Sequence, residues 1–200
     1  MKVYDTNFIK DQFPALQRKV WDKKLVYLDS AASMQKPKRV LDAISKSYSF
    51  NYSNVHRGLH KLSEEATAKY EGSRIKVAKF INCSENEVIF TSGATAALNL
   101  VAYSWGMKNL SAGDEIIITI AEHHANIVPW QIIAEQKNVK IKAAHVDPNS
   151  EFNPDIIRDL VSDKTKIIAF PHVSNVLGTT CLLYTSPSPR DLSTSRMPSS

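Results

Sequence analysis

Glycine is scarce in this chain. The six in 200 residues are Gly58, Gly72, Gly93, Gly106, Gly113 and Gly178, and no two lie closer than seven positions. That spacing excludes both G-x-G-x-x-G and G-x-x-x-x-G-K-[ST], so neither the dinucleotide fingerprint nor the Walker loop can be written. Cysteine is scarcer still. Cys83 and Cys181 are too few for a zinc site of their own or for the framework of a disulfide-rich secreted domain. No uninterrupted apolar run approaches the ~18 residues of a membrane span. The N-terminus carries Lys2 and Asp5 where a signal peptide would place its apolar stretch. No membrane and a cytoplasmic location are expected. A dominant charge is lacking too: 25 Lys+Arg against 20 Asp+Glu gives +5, with acidic residues interspersed almost throughout. A nucleic-acid binder concentrates its basic charge, so no nucleic-acid partner is expected. The one tight basic cluster, Lys36, Lys38 and Arg39, reads as a solvated helix start.

The chain changes character near its end. Residues 181–200 hold six serines, three prolines and no apolar run beyond Leu182-Leu183-Tyr184. Neither a helical nor a strand period fits them, and such a composition cannot bury enough apolar surface to offset ordering. The segment resembles translated adapter sequence. It is expected to be a disordered, non-native tail, the competing reading being a genuine Ser/Pro linker.

Ahead of the tail, strand and helix patterns alternate. Apolar runs at Lys24–Leu28, Glu87–Thr91, Asp114–Ile120, Val139–Val146 and Lys166–Phe170 read as strands. Asp114–Ile120 is nearly continuous, as in a sheet buried on both faces. Helical spacing of apolar residues runs from Pro37 to about Phe50, Leu62 to Ile81, Gly93 to about Trp105 and Asn126 to about Gln136. Asn153-Pro154 reads as a cap opening one more helix that carries Ile156, Ile157, Leu160 and Val161. The fold class expected is α/β: a three-layer, mostly parallel sheet with helices on both faces. Residues 1–20 stand apart from the alternation and are expected to pack outside the main sheet, leaving 21–180 as the principal domain.

Ligands of open α/β sheets bind beyond the carboxyl ends of the strands, and three strands end in polar loops. Thr91-Ser92-Gly93-Ala94-Thr95 opens a helix, so free N–H groups and a permissive glycine could seat a phosphate. Plain capping by Thr or Ser explains the same residues. Glu122-His123-His124-Ala125-Asn126 carries adjacent histidines that, on an extended segment, point to opposite sides and do not chelate a metal. One imidazole could stack on a planar ring or move protons; alternatively both satisfy backbone groups. In the loop after Phe170, Asn175 can donate to a phenolic or carbonyl oxygen or act as a turn amide. Together the three suit a phosphorylated aromatic ligand.

Five motifs then carry a resemblance. They are Tyr27-Leu28-Asp29-Ser30-Ala31-Ala32-Ser33, Val55-His56-Arg57-Gly58-Leu59-His60, the Thr91–Thr95 loop, the stretch from Glu122 to Trp130 (EHHANIVPW), and that from His172 to Gly178 (HVSNVLG). Residues 1 to about 180 resemble the class V aminotransferase family of fold-type I pyridoxal-phosphate enzymes. The likeness is nearest to SUF-type cysteine desulfurases. The resemblance implies an incomplete major domain of the transferase type, with pyridoxal 5'-phosphate as cofactor. Gly93, Ala94 and Thr95 fall on the cofactor-phosphate loop. His123 falls on the histidine that stacks over the pyridine ring and assists proton transfer, and Asn175 on the residue that hydrogen-bonds the phenolic oxygen. His56 and Arg57 fall at the active-site mouth near the subunit boundary, with no firm role.

The resemblance further implies, for an intact enzyme, a homodimer that converts L-cysteine to L-alanine. It leaves sulfur as an enzyme persulfide for a sulfur-acceptor protein in iron–sulfur cluster assembly. Two departures stand out: Ser92 occupies a position where many relatives carry arginine, and Ala94 replaces a frequent threonine. The family's Schiff-base lysine, pyridine-nitrogen aspartate and persulfide cysteine have no counterpart here. Cys83 matches no catalytic position. The chain is therefore expected to be an inactive amino-terminal fragment. The competing readings are a selenocysteine lyase, another class V aminotransferase or lyase, and a non-catalytic phospholigand-binding module.

Overall fold

A strand must find a hydrogen-bonded neighbour, and that requirement separates the two halves of this protein. The computed structural model describes residues 4–146 and 155–180. The chain divides into two compact units, Met1–Ile89 and Phe90–Ser200.

The first unit is built from local signals. Helix α1 (Thr6–Asp11) is capped by Asp5, whose Oδ1 accepts from the N–H groups of Asn7 and Phe8 at 3.0 and 3.1 Å. A short hairpin follows, β1 (Lys19–Val20) against β2 (Lys23–Lys24). Its two turn residues, Trp21 and Asp22, both have positive φ (50° and 60°), the geometry that matches the twist of a two-residue hairpin. The strand expected over Lys24–Leu28 is thus a correction. Lys24 pairs within the hairpin and the Leu25 N–H reaches the Arg18 carbonyl at 3.2 Å, but the run pairs no further and Leu28 is 91% exposed, because an apolar run specifies extended backbone but not a partner.

Helix α2 (Lys38–Lys46) opens after Pro37 and widens into a π-turn over Ser47–Asn51. Helix α3 (Lys61–Ile81) begins where the His60 ring accepts from the Ser63 N–H and ends at Asn82 in the left-handed conformation (φ 57°). Ser63 is 1% exposed and ties the preceding loop to α3. Its Oγ donates to the Asn54 carbonyl at 2.8 Å and accepts from the Gly58 N–H at 3.0 Å. A Cβ on Gly58 would stand 2.4 Å from Ser63 Cβ, so only glycine fits that approach.

The second expected strand, Glu87–Thr91, is also corrected. Glu85–Glu87 form a 3₁₀ turn closed by a Ser84 capping box, and no strand neighbour among the described residues pairs with Val88–Thr91.

The second unit holds the sheet. Strands β3 (Glu115–Thr119), β4 (Lys140–Ala144) and β5 (Thr165–Ala169) lie in the order β4–β3–β5, all parallel. Helix α4 (Ala94–Val101), a π-turn (Ala102–Gly106) and the short α5 (Met107–Asn109) lead into β3. Helix α6 (Val128–Lys137) connects β3 to β4, and α7 (Asp155–Leu160) precedes β5. The residues that would cap α7, Asn153-Pro154, lie outside the described residues, as does the 181–200 tail.

All five residues of β3 are buried, which is why its centre, Ile116–Ile118, is apolar on both faces. Ile116 and Ile118 face one core with Trp130, Ile133 and Ala134 of α6, joined by Ala102 and Leu110. Ile117 points the other way, into a second core with Ala144, Val146 and Ile157 of α7. The alternation of period two puts helices on both faces, giving three layers.

Candidate functional site

Parallel strands send their following loops out of one edge. The segments after Thr119 and after Ala169 therefore leave the sheet together at its carboxyl edge. The helical run from Ala94 to Asn109 leads directly into the start of β3. Helix α4 also lies against the His124–Asn126 turn. The segments bearing His123 and Asn175 thus share one edge of one sheet, and the helix that Gly93–Thr95 open lies against the first of them.

At the start of α4, no side chain caps the helix. Thr91 Oγ1 instead donates to the Gly93 carbonyl at 3.0 Å. The first intrahelical bond at this end runs from the Ala97 N–H to the Gly93 carbonyl, so the amides of Ala94, Thr95 and Ala96 precede the ladder. Gly93 is extended (φ 165°), a conformation open to any residue. What its missing side chain leaves is space: a Cβ there would meet no heavy atom within 4 Å.

His123 is exposed, and its Nδ1 accepts from the Ala125 N–H at 3.0 Å. In the neutral ring the proton then resides on Nε2. The imidazole thus does serve a backbone group, but with one nitrogen only. His124 stands edge-on to it, ring centroids 6.2 Å apart and planes at 81°, which is not a shared metal-binding geometry. Among the described residues no three His, Cys, Asp or Glu side chains gather as a metal site.

Asn175 is exposed, and its carboxamide makes no hydrogen bond among the described residues. The turn around it is held instead by Ser174, which is 3% exposed. Ser174 Oγ donates to the Ala121 carbonyl at 2.9 Å and accepts from the N–H groups of Val176 and Leu177 at 3.3 and 3.2 Å. The turn closes at Gly178, whose φ of +70° favours glycine.

Sequence reasoning missed the groups that build this edge. Glu122 is 8% exposed, and its Oε2 accepts from the His123 N–H at 2.8 Å while Oε1 accepts from Asn126 Nδ2 at 2.9 Å. Asn126 Oδ1 in turn accepts from Trp130 Nε1 at 3.0 Å. The three stand four residues apart, a spacing that could have exposed them as one face. Asn126 and Trp130 also border a cavity of about 540 Å³ along β5, with Val101, Trp105, Lys166 and Phe170; Gly93, His123 and Asn175 do not line it.

The donor set fits a phosphorylated pyridoxal ring. Uncapped amides and open space at Gly93 suit its phosphate, a flat exposed imidazole suits its ring, and the unengaged Asn175 amide suits its phenolic oxygen.

In the first unit, the His56-Arg57 loop is ordered by α3. The His56 N–H donates to Thr67 Oγ1 at 2.9 Å, its Nε2 meets Glu71 Oε1 at 3.1 Å, and its φ is 70°. Arg74 also binds Glu71, which raises the guanidinium pKa above its ordinary value.

The aminotransferase class-V family matches residues 26–184. A probable cysteine desulfurase of Vibrio cholerae is 51% identical over 172 residues, covering 86% of this chain and 43% of that protein. One from Synechocystis sp. is 48% identical over 171 residues, covering 85% and 41%. The apo structure of a cysteine desulfurase from Thermococcus onnurineus superposes with a TM-score of 0.78 at 32% identity, over 88% of this chain and 42% of that one. The chain spans about two fifths of the length of the curated relatives it matches. No helix among the described residues is long and apolar enough to cross a membrane.

Proposed function

The chain belongs to the class V aminotransferase family, whose members use pyridoxal phosphate, and on that premise we propose that it is the cofactor-cradling part of a cysteine desulfurase. What supports the reading is an uncapped start to α4, an exposed imidazole at the carboxyl edge of the sheet, and at that same edge an Asn175 amide with no hydrogen bond among the described residues. The amides of Ala94 and Thr95, beside Gly93, would hold the cofactor phosphate. His123 would face the pyridine ring and Asn175 would serve the phenolic oxygen. When bound, pyridoxal phosphate supplies an electron sink for bond cleavage at the substrate carbons.

His123 has one nitrogen free for proton traffic. Nδ1 is committed to the Ala125 N–H, so Nε2 is the atom at which a proton is held or passed. Its neighbour Glu122 is committed to backbone and Asn126 and does not compete for that proton. In the whole protein the substrate would be L-cysteine: a thiolate takes its sulfur as a persulfide, the carbon that loses sulfur takes a proton to give L-alanine, and the persulfide sulfur passes to an acceptor protein. A homodimer and a cytoplasmic setting go with that reading.

The test uses the 200-residue chain. Titrated with pyridoxal 5'-phosphate, it binds weakly and in competition with inorganic phosphate, and His123→Ala weakens the former alone. Borohydride reduction labels lysines without one dominant site, and added cysteine releases no catalytic sulfide. A single stoichiometrically labelled lysine together with catalytic sulfide release would falsify the reading of an inactive cradle. In the uninterrupted protein that carries these residues, His123→Ala slows turnover while the fold survives.

A further inference from the structure

Hydrogen bonds have direction, and in this site the direction is imposed from the core. The Trp130 indole N–H can only donate. Trp130 is 4% exposed and packed with Ile133 and Ala134, so its donor is fixed in space. It gives its proton to Asn126 Oδ1 at 3.0 Å. Asn126 must then turn its NH₂ the other way, toward Glu122 Oε1 at 2.9 Å. From the far side the backbone N–H of His123, again a donor only, meets Oε2 at 2.8 Å. Glu122 stands between two donors and has to accept at both oxygens. A carboxylate does so; a protonated acid or a glutamine puts a hydrogen where a hydrogen already is.

We propose that Glu122 and Asn126 are positioning residues for His123, fixing its backbone to the Trp130 core through a one-way chain of hydrogen bonds that requires Glu122 as the carboxylate. Because the His123 ring is folded back onto the Ala125 N–H at 3.0 Å, holding this backbone also aims the ring. The other side of the same loop is held independently. The Ala121 carbonyl accepts from buried Ser174, one residue from Asn175, so the two loops are registered on each other. The consequence for ligand affinity rests on the cofactor reading above; the ordering of His123 does not.

The test is a double-mutant cycle in the full chain. Glu122→Gln opposes an amide NH₂ to a donor, and Asn126→Asp sets two carboxylates face to face. Combined, they reverse the middle bond: the new glutamine amide donates to the new aspartate, whose other oxygen still accepts from Trp130, while the glutamine oxygen accepts from the His123 N–H. The readouts are hydrogen exchange of the His123 amide by NMR, and the dissociation constants of pyridoxal 5'-phosphate and of inorganic phosphate.

Each single variant should speed His123 exchange about tenfold and weaken pyridoxal 5'-phosphate about fivefold, with inorganic phosphate unchanged. The double variant should restore both to within about twofold. If a single variant fails to fold, recovery of the folded spectrum in the double variant reports the same coupling. A Glu122→Gln chain with parental His123 exchange, or a double variant no better than the singles, overturns the proposal. If the parent chain binds no pyridoxal 5'-phosphate, the cofactor reading fails, and the exchange data still decide the positioning role.

Discussion

The two units of this chain use apolar residues in opposite ways. In Phe90–Ser200, Ile116, Ile117, Ile133 and Ile157 are each fully buried between layers. Among the described residues of Met1–Ile89 the buried ones are Ser63, Ala78 and Val88, while the large aliphatic side chains of α2 and α3 and Phe80 stay open, from Val40 at 37% to Phe80 at 90% exposed. The first unit owes its helices to caps and local propensity, the second to a sheet that two helical layers cover. Local signals form elements; only burial on two faces forms a core.

The sharpest way to break this contrast is to hollow out the sheet. Ile117→Ala, at 0% exposure in the central strand, should cost about 3–4 kcal/mol of unfolding free energy, near the middle of the range for such deletions. Urea denaturation followed by circular dichroism measures it. Equal loss of signal for α3 and for the sheet would show that the units unfold as one.

A smaller effect is expected at the one well-buried polar anchor of the first unit. Ser63→Ala removes the partner of the Gly58 N–H and of the Asn54 carbonyl, and should cost about 1–3 kcal/mol. The loss should appear as faster amide exchange at Gly58, with the β3 amides unaffected.

The amino edge of the sheet offers a pH test. The Lys142 ammonium, at 2.7 Å, and the Ser162 hydroxyl together hold the Glu115 carboxyl below its ordinary range. A lowered carboxylate pKa stabilises the fold fully above the unfolded-state value of about 4.3. That contribution disappears as pH falls through the depressed folded-state value. The second unit should therefore lose melting temperature in that acid window, and Glu115→Gln should flatten the dependence there while changing little at neutral pH slopes. An acid profile identical in the variant would remove Glu115 from the account.

The smallest effect belongs to Phe80. At 90% exposure, Phe80→Ser should stay within about 0.5 kcal/mol of the parent. A large loss would mean that this side of α3 is covered in solution, and sedimentation would then reveal what covers it.

Much of the second unit was legible residue by residue. The run Glu115–Thr119 announced a strand buried on both faces, and Lys140–Ala144 and Thr165–Ala169 followed from strand and helix alternating. The Thr91–Thr95 loop was legible as a helix start, and His123 and Asn175 as polar residues beyond strand ends. What stayed hidden were the groups without chemistry of their own. Ser174 looked like one more turn serine because its partner, the Ala121 carbonyl, lies 53 positions away. Glu122 looked like a charge beside two histidines although its partners, His123 and Asn126, stand within one helical turn. The Lys24–Leu28 and Glu87–Thr91 segments misled for the converse reason: they carry strand composition, but among the described residues no strand pairs with them beyond Lys24.

By itself the sequence determined the quantities that depend on neighbours along the chain. These are where helices α3, α4 and α6 run, which strands are apolar on both faces, and which residue types stand ready at the strand ends. Only the tertiary structure decided the strand order β4–β3–β5, the absence of a capping side chain at α4, and the bond from Ser174 to the Ala121 carbonyl that registers two loops on each other. Propensity and periodicity act over one turn or one pleat. A hydrogen bond across loops exists only once a packed core has fixed both of its ends.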